Sequence, residues 1–347
     1  MDRRTLLRLS LATSLAGFSC KPCSASAILS ASSTPAADKL QDAIDRGIEF
    51  LVSKQSRVGG WADDNHQSAI TALAGTALIC SGSTTTQGPY AKAIRYCVDF
   101  LLSKCQRNGL ISSPREDRYT YGHGFAMLFL SQVLGEEEDI DRREELVEVL
   151  ERAVKFSVNS QTKAGGWGYV SDDNFDEGST TITQVQGLRG CRNAGIVVPK
   201  AAIEKAKKYI YRCQNPDGGI KYSSGSSGND SRAAITAAAL AALYNAGDYS
   251  SKYVPKMWAY CKKNMHDVGS AKMEGWWHYS YLYYSQVVYR QGPEVWDPFR
   301  DQIVKRILRK QQDNGAWSDS GTGEVYSTSI CLIILQLDFG YLPIFQR

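Results

Sequence analysis

Gln161-Thr-Lys-Ala-Gly-Gly-Trp167 is the stretch that decides the fold, because its pattern recurs along the chain. The same glutamine, three variable residues, paired glycines and tryptophan occur at Gln55–Trp61, and Gln311–Trp317 keeps the glutamine, one glycine and the tryptophan. Gln214–Ile220 keeps the glutamine and both glycines but ends in isoleucine. Self-similarity at a fixed period indicates a repeat architecture, in which each copy packs against its neighbours.

Two weaker copies fill the gaps in this series. Gln106-Arg-Asn-Gly109 keeps a glutamine and one glycine, and a second weak copy lies near Asn264, followed by Gly275-Trp276. Successive copies are 47 to 55 residues apart. The sequence therefore predicts six structural units of similar length.

Each unit contains two helical segments, one on either side of its glycine turn. The segment before the turn is amphipathic, as in Leu40–Lys54, whereas the segment after it is small and apolar, as in the uncharged Ser68–Cys80. A helix that is apolar on all sides is buried on all sides. The predicted outer helices are Leu40–Lys54, Ala91–Lys104, Arg143–Ser160, Ala201–Arg212, Val254–Lys263 and Pro298–Lys310. The predicted inner helices are Ser68–Cys80, Phe125–Leu134, Ile182–Leu188, Ala233–Leu243, Trp277–Val288 and Ser327–Leu337.

Six hairpins of this kind form either an open solenoid or a closed double ring. Closure accounts better for six buried helices, because an open spiral needs long covered flanks to bury them. We therefore predict an all-α fold, a single (α/α)6 toroid over residues 38–347. Its glycine turns lie at one end, and one central cavity opens there.

Residues 1–27 are predicted to be an export signal rather than part of the ring. Arg3-Arg4 precede an apolar run, and Ala25-Ser-Ala27 offers a small-residue cleavage site, as in twin-arginine signal peptides. A lipoprotein signal at Cys20 is the alternative. Residues 28–37 are predicted to be a flexible lead-in, and no later segment is apolar enough to span a bilayer. We expect an exported protein, periplasmic or extracellular.

Charge and cysteine content exclude several classes of function. The leader holds a net +3 of the formal +4, so the remainder is nearly neutral and gives no electrostatic footprint for nucleic acid. Seven cysteines follow the leader, scattered and without the spacing of a zinc site. Buried free thiols are the simplest interpretation, with one or two disulfides as the alternative. Neither a cofactor nor a bound metal is expected.

The segments Gln55–Trp61, Gln161–Trp167 and Gln311–Trp317 resemble the glutamine–tryptophan repeats of the squalene/hopene cyclases. Over about residues 38–347, the chain resembles the α/α toroid shared by terpenoid cyclases, protein prenyltransferase β subunits and complement thioester domains. The resemblance implies a cyclase-like ring, but a fold does not by itself fix an activity.

The chemistries of that superfamily lack their motifs here. The nearest match to the Asp-x-Asp-Asp acid of class II cyclases is Asp172-Asp-Asn-Phe-Asp176-Glu177, which does not fit. The zinc-binding Asp-x-Cys of the prenyltransferases does not occur, and Gly190-Cys191 shares only two residues with the thioester motif Gly-Cys-Gly-Glu-Gln. The resemblance therefore predicts the ring and leaves the reaction open.

Acidic residues recur at the predicted starts of the inner helices. Aligning the segments that end at Thr71, Thr183 and Thr236 puts three pairs in register: Asp64-Asn65, Asp176-Glu177 and Asn229-Asp230. Such residues are most often helix caps or first-turn charges. The most acidic pair, Asp176-Glu177, is the one chosen as a catalytic candidate.

Three histidines, His66, His123 and His278, also lie at inner-helix starts, and a closed ring brings those ends around one mouth. Local hydrogen bonding is the simpler interpretation of each, since a metal site requires their ring nitrogens to converge on one point. The acid–base candidates are therefore Asp176, Glu177, His123 and His278.

The fifth inner helix is unusually aromatic. Trp277, Tyr281 and Tyr284 fall on one of its faces, and such a face either stacks on a sugar or a flat apolar ligand or packs as plain core. Tyr121 and Phe125 of the second repeat are expected to extend the same wall. The predicted ligand-binding residues are Trp277, Tyr281, Tyr284, Tyr121, Phe125 and His66.

Three functions remain open at this stage. The favoured one is a toroid that binds an extended apolar or ring-stacking small molecule or polymer, without a standard catalytic motif. The second is an enzyme, either a lyase or hydrolase on an extracytoplasmic polymer or a divergent terpenoid cyclase. The third is a non-catalytic interaction module. The lining of the cavity distinguishes the first two functions. An apolar tunnel favours a lipid ligand, whereas convergent carboxylates and imidazoles favour hydrolysis or elimination.

Overall fold

A computed structural model describes residues 35–61, 65–113, 115–172, 175–226, 230–265, 277–318 and 321–345. Within these ranges twelve α-helices follow one another, with two short 3-10 helices, Leu337–Phe339 and Pro343–Phe345, near the end. The helices before the glycine turns are α1 Pro35–Lys54, α3 Ala91–Ser103, α5 Ile140–Asn159, α7 Lys200–Arg212, α9 Val254–Met265 and α11 Pro293–Lys310. The helices after the turns are α2 Gln67–Ile79, α4 Tyr119–Glu136, α6 Gly178–Asn193, α8 Ala233–Asn245, α10 Trp277–Tyr289 and α12 Glu324–Leu335.

The helices after the turns form a closed inner ring. Each packs against the next in the order α2, α4, α6, α8, α10 and α12, and α12 packs back against α2. The odd-numbered helices surround this ring, and α1 contacts both α12 and α11. The predicted (α/α)6 toroid is therefore confirmed. The predicted leader, Asp64, Asn229 and the fifth glycine turn lie outside the described residues.

Several helices begin earlier than predicted, and α11 and α6 show why. α11 starts at Pro293 rather than Pro298, because Gly292, at a φ of 98°, and a proline in the first turn set up the helix start. α6 runs from Gly178 to Asn193, well beyond the predicted Ile182–Leu188. Its many threonine and glutamine residues obscure the apolar pattern on which the prediction rests.

The repeated glutamine ties each glycine turn to the next outer helix. Gln161 Nε2 donates to the carbonyl of Gly165 in its own turn (2.9 Å) and to the carbonyl of Ala202 in α7 (2.9 Å). Gln55, Gln214 and Gln311 each make the same pair of bonds in their repeats. The geometry common to these four repeats explains why the glutamine recurs: one amide group donates to two carbonyls and so joins the turn to the next outer helix.

The tryptophan and a side chain on the inner helix complete the turn. Trp167 Nε1 donates to Ser157 O in α5 (2.8 Å), while the Trp167 backbone N–H donates to Thr181 Oγ1 (3.0 Å). The side chains that accept the equivalent backbone bond are Thr71, His123, Thr236 and Thr328. The predicted alignment on Thr183 was therefore wrong by two residues, since Thr181 occupies this position in the third repeat.

Glycines allow the inner helices α4 and α6 to pack backbone against backbone. A Cβ atom on Gly187 would lie 2.7 Å from the carbonyl oxygen of Gly124, and one on Gly124 would lie 2.6 Å from the carbonyl carbon of Thr183. Such separations are too short for any other residue. The close approach brings the first residues of α4 and α6 together at the mouth of the ring.

Below the mouth, the centre of the ring is filled. Gln186 Nε2 on α6 donates to Gln286 Oε1 on α10 (3.2 Å), although these helices are not neighbours in the ring. Both glutamines are buried. At the opposite end, the backbone N–H of Ile344 donates to Gln132 Oε1, and the Arg290 guanidinium donates to the Ile344 carbonyl. The C-terminal segment thus covers the end of the ring away from the glycine turns.

The seven cysteines of the described chain are free thiols, and all but Cys105 are buried. Burial alone raises the pKa of the Cys80 and Cys261 thiols, so they remain protonated. No helix among the described residues is long and apolar enough to cross a membrane.

Candidate functional site

The mouth of the ring is lined by one residue position in each inner helix. In the five repeats whose turn is described, this position lies two residues before the side chain that accepts the backbone bond from the turn. In α10, Tyr279 holds the corresponding place near the helix start. Five of its six occupants keep some exposed surface, while most residues on their helices are buried: Tyr121, Ser179, Ala234, Tyr279 and Tyr326. The sixth is the buried Ala69.

Three of these occupants are tyrosines, and together with Tyr283 they lie within electrostatic reach of one another. The pKa of Tyr121 on α4 is raised by burial and then by the phenols of Tyr279, Tyr283 and Tyr326. The pKa values of Tyr279 and Tyr283 on α10 are raised by burial and by their phenol neighbours in the same way. Because α4 and α10 lie on opposite sides of the ring, this coupling crosses its centre. We call Tyr121, Tyr279, Tyr283 and Tyr326 the tyrosine cup.

Two hydroxyls of the tyrosine cup have no partner in the described protein. The Tyr279 and Tyr283 oxygens are buried and make no hydrogen bond there. Their rings meet edge to face, with centroids 5.0 Å apart. A buried hydroxyl without a partner typically costs about 1–3 kcal/mol, so the cup offers unused hydrogen-bonding capacity to a ligand or to water.

A second group of side chains borders the cup on the α4–α6 side. The hydroxyls of Tyr169 and Tyr222 are hydrogen-bonded to each other. The Arg118 guanidinium lies over the Tyr169 ring at 4.5 Å, and that of Arg232 lies over the Tyr222 ring at 4.7 Å. The Thr120 backbone N–H donates to the Tyr169 carbonyl, which places this group beside Tyr121. We call Arg118, Tyr169, Tyr222 and Arg232 the arginine–tyrosine rim.

The aromatic face predicted on α10 is turned away from the centre. Tyr281 and Tyr284 pack against Phe299 of α11, with ring centroids 6.4 and 5.3 Å apart, and Arg306 of α11 lies over Trp277 at 5.1 Å. The Tyr281 hydroxyl donates to the Met265 carbonyl in α9 (3.1 Å). These three residues join inner helix to outer helix, and the opposite stripe of α10 faces the cup.

Tyr121 and Phe125 lie beside each other near the cup. Their rings meet edge to face with centroids 5.3 Å apart. Tyr121 is partly exposed at the mouth, whereas Phe125 is one turn deeper and only 5% exposed. Phe125 therefore belongs to the floor of the cup and Tyr121 to its wall.

His123 is locked inside the turn of the second repeat. Its Nδ1 accepts from the Ile111 backbone N–H (3.1 Å), so Nε2 carries the proton and donates to the Ala153 carbonyl (3.1 Å). The side chain is fully buried, and this desolvation lowers its pKa from 6.5 to about 4. A neutral imidazole with both nitrogens bonded to backbone has no free position from which to transfer a proton.

Glu177 caps α6 and is almost fully buried. Its carboxylate accepts from the backbone N–H groups and the hydroxyls of Ser179 and Thr180, at 2.6 to 3.1 Å. The same charge contributes to the raised pKa values of Tyr121 and Tyr279. Glu177 is thus both a helix cap and a negative charge within reach of the cup.

Asp176 forms its hydrogen bonds with the neighbouring repeat instead. Its carboxylate accepts from Ser223 Oγ (3.1 Å) and from the backbone N–H and hydroxyl of Ser224. It is 6% exposed. The two adjacent acids therefore fix different segments: Glu177 holds the helix start, and Asp176 holds the loop of repeat four.

His278 borders the cup, and His66 lies at the first helix start. The His278 ring contacts Trp277 edge to face at 5.1 Å and approaches Tyr326 at 6.4 Å. His66 is partly buried at the N-cap position of α2. No group of three His, Cys, Asp or Glu side chains among the described residues is arranged to hold a metal ion.

Glu116 is a buried carboxylate that the sequence analysis missed. It accepts from the Ser68 backbone N–H at the start of α2 (2.6 Å) and from Ser112 Oγ (3.3 Å), and burial raises its pKa. The tyrosine cup was missed for a different reason: Tyr279 and Tyr283 show the four-residue helical spacing, but only the correct repeat register tells which face of α10 is central.

The closed order of the inner helices defines an α/α toroid. The family described as "Prenyltransferase alpha-alpha toroid domain" matches residues 19–189 and 185–275, and the chain belongs to it. No curated protein matches the chain in sequence.

Among solved structures, the α-1,6-mannanase GH76A of Salegentibacter sp. HEL1_6 is similar in fold. In complex with α-1,6-mannotriose, an inactive variant has a TM-score of 0.63 at 10% identity, covering 86% of this chain and 98% of that one. GH76A itself has a TM-score of 0.64 at 9% identity, covering 87% and 99%. A variant of the type II terpene cyclase MstE from Scytonema, in complex with its substrate geranylgeranyl dihydroxybenzoate, is 14% identical to this chain. The match covers 89% of this chain and 99% of that one, with a TM-score of 0.36.

Proposed function

We propose that this protein binds a saccharide in the tyrosine cup, as an exported, ligand-binding toroid. The observation that carries the proposal is a group of four phenols from α4, α10 and α12 within electrostatic reach of one another, of which Tyr279 and Tyr283 pack edge to face and have buried hydroxyls with no partner among the described residues. Of the ligands considered from the sequence, this lining favours a ring-stacking one over a wholly apolar one.

The chemistry of a sugar fits both parts of the cup. The C–H faces of a pyranose pack on aromatic rings, as other flat apolar surfaces do, while its hydroxyls donate and accept hydrogen bonds around the ring edge. The Tyr279 and Tyr283 hydroxyls lack partners within the described part of the chain, so a ligand that bonds to them relieves an existing cost. A hydrocarbon would leave both hydroxyls unsatisfied in a dry site.

The fold is compatible with such a ligand. A protein of similar fold, the Salegentibacter mannanase, is found in complex with α-1,6-mannotriose. Its low identity to this chain supports the shared fold alone and not a shared sugar. The twin-arginine-type residues Arg3-Arg4 and the small-residue site at Ala27 support export, where saccharide polymers are accessible to the protein.

Hydrolysis or elimination on that saccharide is the second candidate. The favouring observation is Glu177, a carboxylate whose charge reaches Tyr121, Tyr279 and Tyr283. Its four hydrogen bonds are those of a helix cap, which weighs against a mobile acid or base. If the wild type produces reducing ends or unsaturated sugars and Glu177→Gln does not, the protein is an enzyme that cleaves the saccharide.

The binding proposal is tested by calorimetric titration of the mature protein with neutral and acidic tetrasaccharides. Tyr121→Ala removes a stacking surface, and Tyr279→Phe removes one hydrogen bond; we expect affinity losses of about tenfold or more for the first and about fivefold for the second. Tyr284→Phe on the outer face of α10 is the matched control and should bind as the wild type does. Absence of saccharide binding, together with binding of a long-chain hydrocarbon probe that Tyr121→Ala weakens, would overturn the proposal.

A further inference from the structure

The arginine–tyrosine rim holds two guanidinium groups in fixed positions beside the cup. Each lies over the face of a tyrosine ring, Arg118 on Tyr169 and Arg232 on Tyr222, and the two tyrosines are joined through their hydroxyls. The two tyrosines are repeat equivalents, two residues after Trp167 and Ile220, respectively. Stacking uses the flat face of a guanidinium and leaves its N–H edge free to donate.

Neither guanidinium has a carboxylate partner among the described residues. No ion pair within the described chain includes Arg118 or Arg232, although Arg142 and Arg300 both form ion pairs elsewhere on the surface. Arg118 and Arg232 are both exposed. The acidic neighbours in sequence, Asp117 and Asp230, are exposed and make no ion pair with either arginine.

Glu177 is a buried acid near the rim, and its carboxylate is already satisfied by hydrogen bonds. It contributes to the raised pKa of Tyr169, so it lies within electrostatic reach of the rim. Its oxygens accept two backbone N–H groups at the positive end of α6 and two hydroxyls. Among the described residues, no acidic side chain forms an ion pair with either arginine, so both guanidinium groups offer positive charge at the edge of the cup.

We propose that Arg118 and Arg232 bind the carboxylates of an acidic saccharide, a chain containing uronic acid units, while a sugar ring occupies the tyrosine cup. The inference rests on the proposed saccharide site and names its substrate class. A guanidinium edge matches a carboxylate with two parallel N–H···O bonds, which are stronger than bonds between neutral groups. Phe175, 41% exposed and 6.3 Å from the Tyr222 ring, offers a further surface on the rim for a sugar face.

The sharpest test compares one oligosaccharide with and without its charge. Titration of the mature protein with oligogalacturonate, and with the same oligomer fully methyl-esterified, changes the carboxylates and nothing else. We expect the acid to bind at least tenfold more tightly than the ester at low salt, and this advantage to shrink as salt rises, since exposed charges are screened. A sulfated oligosaccharide that outcompetes the oligogalacturonate would overturn the assignment to carboxylates.

Arg118→Gln and Arg232→Gln locate the effect. Each variant keeps a planar group for the ring but loses the charge, and should weaken binding of the acid about tenfold while changing binding of the ester less than twofold. Arg306→Gln is the matched control, because Arg306 also lies over an aromatic ring, that of Trp277, but belongs to outer helix α11.

The outcomes separate this inference from the proposed function. Equal binding of acid and ester, unaffected by Arg118→Gln and Arg232→Gln but weakened by Tyr121→Ala, overturns the carboxylate site and leaves the saccharide cup in place. Binding of neither oligomer, nor of any neutral tetrasaccharide, overturns both.

Discussion

Gln311, in the last glycine turn, donates a hydrogen bond through Nε2 to the carbonyl of Ala43 in α1, at 2.8 Å. The two residues are 268 positions apart in the chain. The same bond in the other repeats joins a turn to the next outer helix along the chain, as Gln161 joins its turn to Ala202. At Gln311 it joins the end of the ring to its beginning, so a local repeat contact becomes the closure of the toroid.

Gln311→Ala should weaken this seam. Two carbonyls, those of Ala43 and Gly315, lose their donor, and we expect the free energy of unfolding to fall by about 1–3 kcal/mol in denaturant titrations. Hydrogen exchange should rise first in α1 and α11. Gln312→Ala is the control, because the exposed Gln312 side chain bonds only Ser318 within the described chain. Equal stability of the two variants would refute a role for Gln311 in closure.

Helix packing at the mouth gives a second prediction. Gly187→Ala puts a methyl group 2.7 Å from the Gly124 carbonyl oxygen, so α4 and α6 must separate, at a cost of about 1–3 kcal/mol of unfolding free energy. Gly135, also in α4, has no atom within 4 Å of a built Cβ. Gly135→Ala should therefore leave stability unchanged or raise it by up to about 1 kcal/mol. Thermal or chemical unfolding measures both, and a destabilised Gly135→Ala would contradict the packing argument.

The ring was predictable from sequence, whereas its lining was not. The repeat of Gln161–Trp167 and the uncharged run in α2 are local signals, and they specify hairpins, their order and which helix is buried. Which face of a fully buried helix points to the centre is set by the rotation of that helix about its axis. On α10 both stripes are aromatic, so composition does not separate Tyr279 and Tyr283 from Tyr281 and Tyr284.

The roles of the acidic residues and histidines were open for a related reason. The sequence pattern of a carboxylate at a helix start is the same whether the carboxylate caps the helix, as Glu177 does, or faces a ligand. His123 was hidden because it takes the place that threonine has in other repeats, and only the bond from Ile111 reveals the equivalence. The two residue types are interchangeable here because an imidazole nitrogen and a hydroxyl oxygen both accept one backbone N–H.

The two faces of α10 can be told apart by removing one hydroxyl from each. Tyr281→Phe leaves the Met265 carbonyl without its donor and should cost about 0.5–1.5 kcal/mol of unfolding free energy. Tyr283→Phe removes a buried hydroxyl that bonds to none of the residues the structure describes, and it should be neutral or stabilising by up to about 1 kcal/mol. Denaturant titration of the two variants decides; a loss at Tyr283→Phe as large as at Tyr281→Phe would show that the Tyr283 hydroxyl is already bonded.

His123 should make stability depend on pH. Its pKa is lowered from 6.5 to about 4 in the folded protein, so the unfolded chain takes up a proton at a higher pH than the folded one. The contribution to stability is therefore complete above about pH 6.5 and is lost as the pH falls toward 4, by about 3 kcal/mol in total. Carboxylates titrate in the same range, so the difference in stability between wild type and His123→Thr isolates the contribution of the histidine.

Threonine is the natural replacement, because Thr71, Thr181, Thr236 and Thr328 accept the same backbone bond in other repeats. The wild type's advantage over the variant should shrink steadily between pH 6.5 and 4, and a difference that stays constant over that range would show that His123 is not held neutral by burial.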